Sequence, residues 1–205
     1  MIYDKIKKLK FKTIVEAGGN TGADTMRLCD MFPKATIYTF EPIPILYNHI
    51  KSMTKQNLKL YNKALSTDNG YIDFHVDMNP EGSAGASSIL PTTKHYLNYI
   101  KREETIIVPC ITLEKFMQDM GIKNIDFLWL DIEMMEYKVL KASEKILKNI
   151  EYIYTEISYS NFRIGQNTPE ELDKLLISNG FDQVFIEPQG SPNFDWQANA
   201  LYKRT

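Results

Sequence analysis

The chain predicts an α/β fold, a Rossmann-like and mostly parallel sheet with helices on both faces, and three observations carry that expectation. Strand-like and helix-like stretches alternate through most of the 205 residues, the pattern of parallel strands joined by crossover helices. A glycine-bearing loop, Glu16-Ala17-Gly18-Gly19-Asn20-Thr21-Gly22, joins an apolar strand (Thr13, Ile14, Val15) to a helical stretch. The apolar run Ile125 to Leu130 reads as a central buried strand, and it ends on Asp131.

Taken in order, residues 1–10 read as a small amphipathic helix, with Ile2, Ile6 and Leu9 against the body and Lys5, Lys7, Lys8 and Lys10, then Lys12, in water. After the first strand a helix runs to about Phe32, and a strand covers Ala35 to Phe40. Pro44 opens the next helix, to about Met53, as proline does at a first helical position. Leu58 to Asn62 forms the third strand. At Asp68-Asn69-Gly70, a hairpin-type turn, the pattern changes to strict alternation through Val76, which predicts extra β structure. Residues 78–104 hold Pro80, Gly82, Gly85, Pro91 and a short amphipathic piece at Tyr96 to Ile100, a lid-like insertion. A strand Thr105 to Cys110 follows, and Thr112 can cap a helix Leu113 to Met120. Beyond Asp131 a helix reaches about Leu147, and Tyr152 to Ile157 is a strand carrying Glu156. Thr168-Pro169-Glu170-Glu171 reads as a capping box. Phe181 to Glu187 and Gln197 to Lys203 close the sheet around a proline-containing loop. No repeat divides the chain, so residues 1–205 are expected to be one domain.

Composition narrows the function. A hydrophobic content of 43% and a charged content of 24% are those of an ordinary globular chain and argue against disorder. A net charge of −2 gives no field that would favour nucleic acid or an acidic membrane surface. The lysine run lacks a following apolar segment and cleavage site, and no stretch has the length of a membrane span, so a cytoplasmic protein is expected. Cys29 and Cys110 form neither a metal-ligand spacing nor a disulfide framework.

The loop suits a nucleoside cofactor. Gly18, Gly19 and Gly22 let backbone approach a ligand, and the helix that follows aims unpaired amides above the strand ends. Glu41, at the tip of the second strand, is placed to accept two ribose hydroxyls. The dinucleotide fingerprint is broken, because Asn20 and Ala23 stand where its second and third glycines belong, and no Walker lysine is present. Glu16 would repel a pyrophosphate and welcome a cationic group, which points to S-adenosylmethionine.

Several of these segments together resemble one family. Val15 to Gly22, Phe40-Glu41-Pro42, Asn62 to Ser66, Ser87-Ser88-Ile89-Leu90, Ile125 to Glu133 and Val139 to Ala142 occur in the order found in FkbM-type methyltransferases. The resemblance spans about Lys12 to Glu156. It implies the seven-stranded class I methyltransferase fold, S-adenosylmethionine as cofactor and methyl transfer to a hydroxyl oxygen of a sugar, glycan or small metabolite. Carried over by residue, Glu16, Gly18, Gly19, Asn20, Thr21 and Gly22 form the cofactor loop, Glu41 with Pro42 the ribose site, and Lys63 and Ala64 the adenine edge. Asp131 and Glu133 match an acidic motif beside the methionine end and the acceptor. Where the family commonly has glycine after that pair, this chain has Met134, which could narrow the acceptor pocket or shift the strand-to-helix turn.

An alcohol acceptor must lose its proton, so a general base or a metal is needed. Glu133 is the expected base, with Asp131 ordering the cofactor's amino end. Its competing role is to cap the following helix. Glu156 and His95 are further catalytic candidates. No metal site is assigned, because no tight carboxylate cluster is visible along the sequence. Mg²⁺ held by Asp131 and Glu156, with Ser158 and Asn161 nearby, is the alternative. Tyr152, Tyr154 and Trp129 read as packing. Two other functions share the same features: a non-catalytic S-adenosylmethionine-binding protein, suggested by Met134, and a nicotinamide-dependent oxidoreductase, suggested by the loop and Glu41. The sequence leaves the oligomeric state open.

Overall fold

A computed structural model describes residues 1–77, 84–98, 103–189 and 197–205. The expected lid piece at 78–83 and 99–102, and the loop between the closing strands at 190–196, lie outside the described residues. Strands β1 (Thr13–Ala17), β2 (Thr36–Phe40) and β3 (Leu58–Tyr61) alternate with helices α1 (Ile2–Ile6), α2 (Ala23–Met31) and α3 (Pro44–Ser52). Then come β4 (Ala64–Leu65), β5 (Gly70–Asp77), β6 (Glu103–Ile111), α4 (Leu113–Met120), β7 (Ile125–Leu130) and α5 (Glu136–Ala142). The chain closes through β8 (Ile150–Ser158), α6 (Pro169–Ser178), β9 (Phe181–Gln189) and β10 (Gln197–Arg204).

Seven strands form one sheet in the order β3-β2-β1-β7-β8-β10-β9. The pairs from β3 to β8 are parallel, and β10 runs antiparallel to both β8 and β9. The chain winds outward from β1 to β3 and then from β7 in the other direction. The switch point between β1 and β7 therefore opens a crevice above the strand ends. Helices cover both faces because successive side chains alternate. Val15, Leu128, Leu130 and Ile153 pack with Phe116, Val139, Leu140 and Leu176 on one face. Ile14, Ile37, Phe127, Trp129 and Tyr154 pack with Ile6, Phe11 and Leu28 on the other. The Asp126 carboxylate accepts the backbone amides of Lys12 and Thr13, the latter at 2.8 Å, and so ties the foot of β1 to β7.

Local signals act where expected. Thr112 caps α4 through the Lys115 amide at 3.2 Å, and Thr168 with Glu171 forms the capping box of α6. The lysines at 5, 7, 8, 10 and 12 are all exposed. Both cysteines are buried and unpaired. No helix among the described residues is long and apolar enough to cross a membrane. Three details depart from expectation. The turn at 68–70 leads from β4 to β5, yet these strands do not pair, because β6 lies between them in a separate three-stranded sheet. The two-residue β4 is too short to show a periodicity. The helix expected directly after Asp131 begins only at Glu136 and gives way to a 3₁₀ stretch at Glu144–Asn149. The delay follows from Glu133 and Met134, whose φ values of 53° and 74° are left-handed and incompatible with a helix start.

Candidate functional site

The loop after β1 is fixed by close approach. Gly18 has φ +94°, and a Cβ built on it would stand 1.8 Å from the backbone oxygen of Asp131. Only glycine fits between the ends of β1 and β7. Gly19 and Gly22 instead face the side chain of Ile50 on α3. The amides of Gly18 and Gly19 both donate to the Phe40 carbonyl, at 3.0 and 3.1 Å. Asn20 donates its amide to Glu41 Oε2 at 2.6 Å, and Ile43 donates to Glu41 Oε1 at 2.8 Å. Burial pushes the Glu41 carboxyl up to about 7 against the pull of those two amides.

A cavity of about 300 Å³ lies above the switch point, within the range of ligand clefts. Gly18, Asn20, Glu41, Pro42, Lys63, Ala64, Asp131, Glu133 and Glu156 line it. The remaining candidates do not. Glu16 shares the strand face of Ile14, and its carboxylate accepts the hydroxyls of Thr25 and Thr39 at 2.7 and 2.6 Å beneath α2. Gly19, Thr21 and Gly22 shape the loop from behind, and His95 is exposed away from the cavity wall.

Where the sequence shows no tight carboxylate cluster, the fold builds one. Asp131 and Glu133 follow β7, Glu156 lies two residues before the end of the neighbouring β8, and one carboxylate oxygen from each lies within 4.8 Å of the others. Burial raises Asp131 to about 6. It holds Glu133 and Glu156 well above the ordinary carboxylate range, and the negative charges of the cluster add to the effect. Ser158 and Asn161 do not join. Ser158 Oγ turns to the Ser160 carbonyl at 2.9 Å, and Asn161 is exposed. Glu133 does not cap the following helix, whose N-cap Met135 has no side-chain cap; Glu136 in the first turn instead reaches back, and its Oε1 accepts the Ile132 amide at 2.8 Å. Met134 does not narrow the cavity. It is buried beside Glu136, Tyr137 and Leu172, and its effect is on the strand-to-helix turn.

Two further residues hold Glu133: Ser88, from one of the segments that carry the family resemblance, and Arg163, which no sequence motif marks. Ser88 donates its hydroxyl to the Glu133 carbonyl at 2.7 Å and pairs with His75 through the backbone. Arg163 is fully buried. Its Nη2 donates to the Ala86 carbonyl and lies 3.9 Å from Glu133 Oε2, while Nη1 donates to the Thr92 hydroxyl and stands 3.4 Å from Glu103. One guanidinium thus pins the segment roofing the cavity to its acidic floor.

The profile described as "Methyltransferase FkbM domain" matches residues 16–182, most of the chain. The chain belongs to the FkbM methyltransferase family. This FkbM methyltransferase is 29% identical over 189 residues to the 2-O-methyltransferase NoeI of Sinorhizobium fredii, covering 86% of this chain and 75% of that protein. Among solved structures it is similar to magnesium protoporphyrin IX methyltransferase from Synechocystis, solved with bound S-adenosylmethionine (TM-score 0.56, 9% identity, 100% of this chain and 74% of that chain). It is also similar to fibrillarin of Methanococcus jannaschii (TM-score 0.57, 11% identity, 97% and 68%). These likenesses show the class I methyltransferase fold. The FkbM methyltransferase uses S-adenosylmethionine as methyl donor, which sets aside the nicotinamide alternative.

Proposed function

We propose that this enzyme transfers the methyl group of S-adenosylmethionine to a hydroxyl oxygen of a sugar, glycan or other small polyhydroxylated acceptor. The observation that carries the reading is the carboxylate cluster of Asp131, Glu133 and Glu156, which lines the same cavity as the loop and Glu41. The cofactor's ribose hydroxyls donate to Glu41, its adenine lies by Lys63 and Ala64, and its amino group faces Asp131. The acceptor oxygen then attacks the methyl carbon in line with the sulfur. The C–O bond forms, the C–S bond breaks with its electron pair returning to sulfur, and the hydroxyl proton passes to Glu133. A base with raised proton affinity suits a weakly acidic alcohol. Similarity to a 2-O-methyltransferase supports oxygen as the acceptor atom. The test offers methyl-labelled cofactor and a panel of methyl glycosides. Label in a base-stable ether supports the reading, and label in an ester or an amine overturns it.

Glu41 gives a separate, acceptor-free prediction. S-adenosylhomocysteine binds wild type in calorimetric titration, and Glu41→Ala weakens it about 100-fold, from two charge-assisted hydrogen bonds of about 1.5 kcal/mol each. Ribose hydroxyls favour the ionised carboxylate, whose proton leaves at about 7 in the free protein. Binding therefore releases a proton below that pH, and affinity falls on acidification from pH 8 to 6, by at most about tenfold per unit for this group. Glu41→Gln removes this step. An affinity equally pH-dependent in wild type and Glu41→Gln would count against the assignment.

A further inference from the structure

We propose that Asp131, Glu133 and Glu156 bind a divalent cation that presents the acceptor hydroxyl to the methyl group, an inference that rests on the methyl-transfer reading above and adds a metal to it. Proximity is the first observation, with oxygens from all three within 4.8 Å of one another. The second is independent of proximity. Glu156 is only 4% exposed and lines the cavity, and its Oε2 has no hydrogen-bond partner among the described residues. Glu133 Oε2 also lacks a hydrogen-bond partner. A buried carboxylate oxygen without a donor is costly unless a cation or a proton meets it.

Charge decides which cation fits. Arg163 is the nearby positive group, 3.9 Å from Glu133, but it also faces Glu103 at 3.4 Å, and that pair cancels. S-adenosylmethionine brings an ammonium, a sulfonium and a carboxylate, a net charge of plus one. Against three carboxylates this leaves a deficit of two, the charge of one divalent ion.

Ligand type narrows it further. A cation bound at about 2.3–2.6 Å can hold oxygens up to about 5 Å apart across its centre, whereas Mg²⁺ at about 2.0–2.1 Å spans only about 4.2 Å. Oxygens that all lie within 4.8 Å of one another can close on an ion of either size with at most small side-chain rotations. All-oxygen ligands match Mg²⁺, Ca²⁺ or Mn²⁺ and disfavour zinc or copper. Bound to such an ion, the acceptor hydroxyl becomes more acidic and its oxygen is held at the methyl end of the cofactor. Its proton passes to the oxygen of Glu133 not engaged by the metal. The C–O bond forms as the C–S bond breaks, and its electron pair stays on sulfur.

The experiment titrates Mn²⁺ alone into the chelator-treated protein, with and without added S-adenosylhomocysteine, and follows free Mn²⁺ by electron paramagnetic resonance. One site per chain is expected, weakened at least about tenfold in Glu156→Gln. That variant should bind S-adenosylhomocysteine within about threefold of wild type, which shows that it is folded. Cofactor product binding without Mn²⁺ binding at pH 8 overturns the site and leaves protons and the cofactor ammonium to meet the carboxylates. Mn²⁺ binding unchanged by Glu156→Gln overturns it as well, since the ion then sits elsewhere. Mn²⁺ bound at this site with no binding of S-adenosylhomocysteine leaves the metal site standing and sinks the methyl-transfer reading.

Discussion

Gly18→Ala is expected to unfold the cofactor loop and destabilise the protein by about 4 kcal/mol or more, among the largest effects a single methyl group can have. Two penalties coincide. The added Cβ would stand 1.8 Å from the carbonyl oxygen of Asp131 and 2.9 Å from its carbon, both backbone atoms that move only if β1 and β7 separate. The residue also has φ +94°, where an L side chain costs about 1–3 kcal/mol more. Gly19→Ala makes the control. Its Cβ would meet Ile50 Cδ1 and Thr39 Cγ2 at 2.9 Å, the ends of side chains that can give, and the backbone carries no positive φ. A loss nearer 1–2 kcal/mol is expected there. Urea denaturation of the two variants measures the contrast, and equal losses would show that the approach of Gly18 to Asp131 does not govern the loop.

Glu133→Gln is expected to lower kcat by about 10²–10⁴, the range for removal of a positioned general base. Binding of S-adenosylhomocysteine should change by no more than about threefold, because Glu133 faces the acceptor end. The variant should be at least as stable as wild type. Glutamine preserves the shape while taking one negative charge out of a cluster whose oxygens crowd within 4.8 Å. A drop in rate matched by a drop in melting temperature or in cofactor affinity would assign Glu133 a structural role instead.

Most of the sheet was legible because its signals are local. Apolar runs gave the parallel strands, and Thr112 and Thr168 marked their helices. Misreadings arose where a side chain's direction depends on the partner layer. Glu16 sits in the expected loop, yet strand alternation sends its carboxylate to Thr25 and Thr39. The clustering of Asp131, Glu133 and Glu156 follows from β7 lying beside β8, which the strand pattern implies but does not measure. Arg163 had no readable signal. Its partners Glu103 and Ala86 lie 60 and 77 positions away in the chain, and nothing in the sequence around it distinguishes a buried arginine from a solvated one.

β1 is held by β7 at both ends, through Asp126 at its foot and the Gly18 to Asp131 approach at its tip, contacts between residues separated by just over half of the chain. On a translating ribosome the loop after β1 would emerge before β7 and stay without its supporting wall until β7 has cleared the exit tunnel. A nascent chain interrupted before that point would have no formed nucleoside cleft, so it could neither sequester the methyl donor nor be rescued from degradation by binding it. Affinity for the donor is then acquired by the growing polypeptide only once β7 is free to pair with β1.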